Sequence, residues 1–312
     1  MQQRDAAAEN ILKGIKIALV VAPVSGGALY DDWDLSEVDS VSPPMGLLWL
    51  AGMVRKNGGI ATIHDAYARR IDIEAIIDEL SGISPDVIGV SATSCSYPAA
   101  KRLIERLKER MPRIPVVLGG VHVTALPQAV IDDLPGLDFG VLREGEVTLV
   151  ELLAAIVRGG DFSKIPGIIF RKGGDIVKTP EREFLRDLDS LPKPAWDLLP
   201  SFPGPYSLSP IGTRSAKSAS LITSRGCPGQ CRFCDVGAMG KIVRVFSADY
   251  VLEMVEYLIT HCGIRDFLIY DDNFVTVRPR VRKICEAIID RRWNIQWSCS
   301  ARVDMVDPEL LA

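Results

Sequence analysis

The stretch Thr223-Ser-Arg-Gly-Cys-Pro-Gly-Gln-Cys-Arg-Phe-Cys-Asp235 holds three of the chain's seven cysteines within eight residues, spaced Cys227-x3-Cys231-x2-Cys234. Ahead of it, Ser220-Leu-Ile-Thr223 is a strand-like apolar run, and Arg225-Gly226 reads as a turn. The thiols therefore stand on a loop just past the carboxyl end of a strand, where α/β folds carry their chemistry. A disulfide pair conflicts with the odd count, and nothing in the sequence points to an oxidising compartment. Zinc needs a fourth ligand, and the nearest downstream residues, His261 and Cys262, fall on another element. Chance clustering of free cysteines is the bland alternative. An iron–sulfur cluster suits the residues best, since thiolates are its usual ligands and a short loop can wrap three corners of a cube. Three ligands for four irons leave one iron open to a substrate or cofactor.

The motif, with an aromatic (Phe233) before its last cysteine and Ser-Arg-Gly-Cys-Pro at its start, resembles the signature of the radical S-adenosylmethionine (SAM) superfamily. The resemblance implies a [4Fe–4S] cluster on Cys227, Cys231 and Cys234 whose open iron chelates SAM. It also implies reductive cleavage of SAM to a 5′-deoxyadenosyl radical. The electron would come from a low-potential donor such as flavodoxin or ferredoxin, and Phe233 would help shape the SAM pocket.

Outward from the motif, 312 residues are enough for two domains. A hydrophobic content of 47% and a charged content of 24% are those of an ordinary globular protein. A net charge of −4 argues against a general nucleic-acid binder. The first apolar run, Ile17 to Val24, is too short to span a membrane and lacks a signal-peptide layout. A cytoplasmic, oxygen-sensitive protein is expected.

Residues 14–158 read as strands alternating with helices. Strands are expected at Ile15 to Pro23, Ile60 to His64, Val87 to Ser91, Pro115 to Leu118 and Phe139 to Leu142. The helices are Met45 to Lys56, Ile71 to Leu80, Pro98 to Arg110, a short one around Ala129 to Leu134, and Val147 to Val157. The pattern predicts an open parallel sheet in the flavodoxin-like order 2-1-3-4-5, with a crevice where the loops after strands one and three diverge. The loops meeting there are 24–42, with Gly26-Gly27 and Asp31-Asp32-Trp33-Asp34, then Ala92 to Ser96 and Gly119 to Thr124. No dinucleotide fingerprint follows the first strand.

This half resembles a cobalamin-binding (B12-binding), Rossmann-like domain, through Ile88-Gly-Val-Ser91 and Val117-Leu-Gly-Gly-Val-His122. Together with Pro43-Pro-Met-Gly-Leu-Leu-Trp-Leu50 and Arg143-Glu-Gly-Glu146, it resembles the cobalamin-binding branch of the radical SAM superfamily. The resemblance implies that Ser91, Thr93, Gly119, Gly120, His122 and Glu144 line a corrinoid slot, where glycines let the backbone approach a bulky ligand. The Asp-x-His-x-x-Gly motif that ligates cobalt from below is missing after strand one, so no histidine from that motif is expected on the metal. Each feature also has a plain reading: paired glycines make simple turns, a lone histidine is commonly a surface or cap residue, and Arg143 and Glu144 can pair on a solvated loop.

Residues 159–215 read as a proline-punctuated linker with a small hairpin, Ile168 to Arg171 and Asp175 to Lys178, and with Trp196 as an anchor. Residues 216–312 read as βαβαβ, with helices at Ala248 to Thr260 and Pro279 to Arg291 and strands at Asp266 to Tyr270 and Ile295 to Ser300. At about 30 residues per barrel unit this is about three units, a partial (β/α) radical SAM barrel, cut or naturally truncated. By analogy, Asp271 and Asp272 at the second strand's end meet the amino group of SAM, and Ser300 and Arg302 its ribose or carboxylate; solvated turn aspartates and a surface salt bridge are the alternatives. Cys262, Cys285 and Cys299 read as small core residues.

The whole points to a cobalamin-binding radical SAM enzyme acting on a small molecule, by methylation of an unactivated carbon or by oxidative cyclisation of a tetrapyrrole-like substrate. A non-catalytic corrinoid or electron-transfer protein with a degenerate barrel, or a structural zinc module, are the competing readings.

Overall fold

The apolar run near the amino terminus forms β1 (Lys16–Val21), whose residues Ile17 to Val20 are all at most 1% exposed. A strand covered on both faces belongs inside a parallel sheet, and β1 lies between β2 (Ile60–Asp65) and β3 (Val87–Ser91), parallel to both. In this computed structural model the described residues are 10–24, 41–206, 208, 212–215, 217–235 and 240–311. Most of the expected long loop at 24–42, including Gly26-Gly27 and Asp31 to Asp34, lies outside them.

The sheet continues through β4 (Val116–Gly119) and β5 (Phe139–Val141), giving the expected order β2-β1-β3-β4-β5 with all five strands parallel. Helices α1 (Met45–Lys56), α2 (Ile73–Ile83), α3 (Tyr97–Arg110) and α6 (Glu146–Arg158) fill the crossovers with α4 (Val121–Ala125) and α5 (Pro127–Asp133). Local chemistry sets their ends. The Asp72 carboxylate accepts the Ala75 N–H at 2.8 Å, which starts α2 two residues later than its apolar period suggests. Where one short helix at 129–134 was expected there are two, divided at Leu126-Pro127 because Pro127 opens the second.

The hairpin assigned to the linker belongs instead to this sheet. Strand β6 (Ile168–Lys172) pairs antiparallel with β5, and β7 (Asp175–Lys178) with β6, making seven strands. Ile168, Ile169 and Phe170 are nearly inaccessible, an apolar run that a solvated linker cannot cover. The first compact unit accordingly runs through Gly46–Phe184 and regains Pro194–Leu199, where Trp196 is 2% exposed. Leu185–Lys193 and the chain from Pro200 belong to the second unit. The 159–215 segment is thus divided between units.

The second unit carries β8 (Ser218–Leu221), β11 (Asp266–Ile269) and β12 (Gln296–Cys299), parallel in the order β12-β11-β8. The crossovers are α7 (Ala248–Cys262), capped by Ser247 and closed by Gly263, and α8 (Arg278–Asp290). Arg225-Gly226 is not a simple turn: β9 (Ser224–Arg225) pairs antiparallel with β10 (Arg244–Val245). Among the described residues no helix is long and apolar enough to cross a membrane.

In the first unit, Ser91 on β3 faces Gly119 on β4 in register. Gly120, at φ +102° and ψ −178°, brings the next turn so close that a Cβ there would lie 2.4 Å from the Ala92 carbonyl oxygen. That conformation is essentially reserved for glycine. A Cβ on Gly119 meets nothing within 4 Å. Gly120→Ala is expected to cost about 2–3 kcal/mol in urea denaturation, and Gly119→Ala to stay within about 0.5 kcal/mol.

Candidate functional site: the cysteine loop and the crevice

The cysteine loop leaves and re-enters the second unit through one neck. The β9–β10 pair closes residues 226–243, and the Phe246 N–H donates to the Thr223 carbonyl at 3.0 Å just outside it. Two buried charged residues clamp this neck. The Asp271 carboxylate, 3% exposed, accepts the Thr223 and Ser224 N–H groups at 2.5 and 3.0 Å and their hydroxyls at 2.6 and 2.7 Å. Arg280 donates Nη2 to the Thr223 carbonyl at 2.8 Å and Nε to the Phe246 carbonyl at 2.7 Å. Burial pulls the Arg280 guanidinium below its usual range, with Asp271 and Asp189 opposing.

The four hydrogen bonds of Asp271 go to the backbone and hydroxyls of the loop's first residues, so it anchors the loop. Asp272, beside it, is exposed. Desolvation and the charge of Asp271 push its carboxyl up, against a hydrogen bond from the Gly226 backbone.

Cys227 is buried, Cys231 partly so, and Cys234 exposed. Two of the sulfurs accept N–H groups: Cys227 Sγ from Gly229 at 3.4 Å, and Cys231 Sγ from Arg302 Nη1 at 3.0 Å. Such donors suit thiolate ligands of an iron–sulfur cluster. Among the described residues no three His, Cys, Asp or Glu side chains gather tightly enough to hold a single metal ion. The three thiolates of a [4Fe–4S] cluster go to separate irons, so they need not converge on one point. The donor set fits a [4Fe–4S] cluster.

Phe233 is 94% exposed. Ser300 is exposed, and its carbonyl accepts the Phe274 N–H at 3.0 Å. Arg302 forms a salt bridge to Asp304, the alternative to a SAM contact, and also reaches the cluster loop. Burial pushes the Cys262, Cys285 and Cys299 thiols up, Cys299 to about 11 with help from Asp271 and Cys285, and all three are partly buried.

In the first unit the crevice loops are tied to one another. The Ala92 N–H donates to the Gly119 carbonyl at 3.0 Å, and the Thr93 N–H and hydroxyl bond the Ser96 hydroxyl at 2.9 and 3.1 Å. His122 Nδ1 lies 3.1 Å from the Ser94 hydroxyl, and its ring rests on Tyr97 at 4.1 Å. Arg143, at φ +62°, donates its N–H to the Thr124 hydroxyl at 2.8 Å and pairs with Glu181 at 2.6 Å, setting the turn that carries half-buried Glu144. Ser91, Thr93, Gly119, Gly120 and His122 thus share the carboxyl edge of β3 and β4, and the open space over Gly119 suits a bulky ligand against the backbone. Tyr97, Arg280 and the role of Asn273 escaped the sequence reading.

A parallel sheet with a crevice at its switch point and a cysteine loop over a second parallel sheet define a two-cofactor α/β class of protein. Residues 34–153 match the family model of the B12 binding domain. A Pyrococcus horikoshii protein named as an uncharacterized methyltransferase, PH0819, is 30% identical over 294 residues, 94% of this chain and 61% of its own. The anaerobic magnesium-protoporphyrin IX monomethyl ester cyclase of Synechocystis is 31% identical over 268 residues, 84% of this chain and 52% of its own. The solved structure of the cobalamin-dependent SAM radical enzyme OxsB, with aqua-cobalamin and SAM bound, superposes with a TM-score of 0.78 at 21% identity, over 95% of this chain and 40% of that one, a likeness of fold. The chain carries a B12 binding domain and is similar over most of its length to cobalamin-dependent radical SAM enzymes, among them the methyltransferase TokK of Streptomyces tokunonensis, 29% identical over 264 residues, 82% of this chain and 38% of its own. It spans about half the length of the curated relatives it matches.

Removing the Asp271 carboxylate strands two N–H groups and two hydroxyls at the neck. Asp271→Ala is expected to cost about 3 kcal/mol or more in chemical denaturation and to reduce iron uptake on reconstitution. Asp272→Asn is expected to act in the opposite direction on stability. A carboxyl whose folded pKa is raised costs stability once ionised, so the variant gains at neutral pH and the gain vanishes below the ordinary carboxylate range. Denaturation followed from neutral to acid pH checks the sign.

Proposed function

We propose that this chain binds a [4Fe–4S] cluster, SAM and cobalamin, and takes part in methyl transfer to an unactivated carbon or in oxidative cyclisation of a tetrapyrrole-like small molecule. The cysteine loop carries the reading: three thiols on a neck clamped by Asp271 and Arg280, at the carboxyl end of a parallel strand. When bound, the cluster supplies the electron that cleaves SAM to methionine and a 5′-deoxyadenosyl radical, and the corrinoid supplies a methyl or electron carrier.

Cys227, Cys231 and Cys234 hold three irons and leave one for SAM. Asp272 is exposed but partly desolvated and faces a like charge, so an ammonium group beside it relieves an existing electrostatic cost. That favours Asp272 over Asp271 as the partner of the SAM amino group. Ser91, Thr93, Gly119, Gly120, His122 and Glu144 border the corrinoid slot, with Gly119 as its open floor. His122 meets the Ser94 hydroxyl and Tyr97 and so holds two crevice loops together. The relatives named as a methyltransferase and as a cyclase support the two reaction classes. The electron comes from a low-potential flavodoxin or ferredoxin, for which dithionite substitutes in an assay.

Anaerobic reconstitution followed by iron, sulfide and cobalt analysis tests the reading. Wild-type protein is expected to carry iron and sulfide in equal amounts and to retain cobalamin through gel filtration. With SAM and dithionite it is expected to release 5′-deoxyadenosine. Cys231→Ala is expected to lose cluster and product together while keeping cobalamin. S-adenosylhomocysteine released alongside 5′-deoxyadenosine marks methyl transfer. Protein that takes up zinc in place of iron contradicts the proposal.

A further inference from the structure

Arg302 is aimed by its neighbours at the cysteine loop. Its backbone N–H donates at 3.1 Å to Oδ1 of Asn273, a residue 1% exposed, which fixes where the chain stands after β12. Its Nε and Nη2 donate to the two carboxylate oxygens of Asp304 at 3.0 and 2.8 Å, a fork that sets the plane of the guanidinium. With that plane fixed, Nη1 reaches Cys231 Sγ at 3.0 Å. Gly229 leaves the space this requires: a Cβ there would lie 3.0 Å from Nη1 and 3.3 Å from Cys227 Sγ. An arginine kept only to meet a ligand carboxylate would need its fork free, and here Asp304 occupies it.

We propose that Arg302 is a positioning residue for the cluster, donating Nη1–H to the Cys231 sulfur and thereby favouring the reduced state, with Asp304 and Gly229 setting its aim. The proposal rests on the cluster reading above. Reduction adds one electron, from the external low-potential donor, to a centre whose charge spreads onto its thiolates. A directed N–H donor at one thiolate stabilises that added charge and raises the reduction potential. No proton or heavy atom changes partner in the step.

The test is an anaerobic redox titration of the full chain, reconstituted with iron and sulfide and without SAM, read by visible absorbance and electron paramagnetic resonance. Leaving SAM out separates this role from SAM binding, which cannot move a potential measured in its absence. At the wild-type midpoint, Arg302→Leu is expected to lower the ratio of reduced to oxidised cluster about tenfold, which for one electron is a shift of about 59 mV to more negative potential. Asp304→Asn serves as the second variant because the two explanations give it opposite signs. Loss of an anion alone raises the potential, whereas loss of the aim lowers it, and lowering is expected. Iron-loaded Arg302→Leu with an unmoved midpoint overturns the proposal, as does a raised midpoint in Asp304→Asn. Wild-type protein that takes up no iron overturns the cluster reading and this inference together.

Discussion

One buried carboxylate holds the cysteine loop in place. Asp271 gathers both N–H groups and both hydroxyls of Thr223 and Ser224, which otherwise would be stranded where β8 ends and the loop begins. A buried charge is tolerated only when its lone pairs are answered, and here four donors answer them. Arg280 works from the carbonyl side of the same neck, donating to the Phe246 carbonyl and sharing the Thr223 carbonyl with the Phe246 N–H. Donors on one side and acceptors on the other let a long, cysteine-bearing loop depart from a fixed point. The loop can then be rich in proline, glycine and exposed residues, since its register is set at the neck.

The first unit solves a similar problem without charge. Its crevice depends on Gly120, whose φ of +102° and close approach to the Ala92 carbonyl exclude any side chain. The turn after β4 is thereby pressed onto the loop after β3, and Gly119 stands open beside it. The two units share a logic. Parallel strands release their loops at one edge, and whatever fixes the first residue of each loop decides what the edge can bind. In one unit that is a missing Cβ, in the other a carboxylate.

Much of this was legible in the chain. The apolar runs at 16–21, 87–91 and 116–119 are too hydrophobic for anything but inner strands, and their alternation with amphipathic helices fixes both fold and order. The cysteine spacing names its chemistry because three thiols so close together have few other uses. The hairpin at 168–178 was misplaced because its turn chemistry is local, whereas its antiparallel pairing with β5 spans the intervening helix α6 and leaves no local signal. Asp271 and Asp272 look alike in sequence; only the fold shows that one is consumed by the neck and the other exposed. The neck arginine did leave a trace. Arg278 and Arg280 stand in the first turn of α8, where cations oppose the helix dipole. Such residues need partners elsewhere, and Arg278 finds Asp307 and Arg280 the neck carbonyls.

The central claim is that three sulfurs bind a cluster and leave one iron for a sulfonium cofactor. Its most direct test is the electron paramagnetic resonance spectrum of the dithionite-reduced, reconstituted chain recorded with and without SAM. An open iron that chelates SAM predicts a signal from a [4Fe–4S] cluster whose g-values move when SAM is added. A cluster signal indifferent to saturating SAM, as four protein ligands would give, contradicts it.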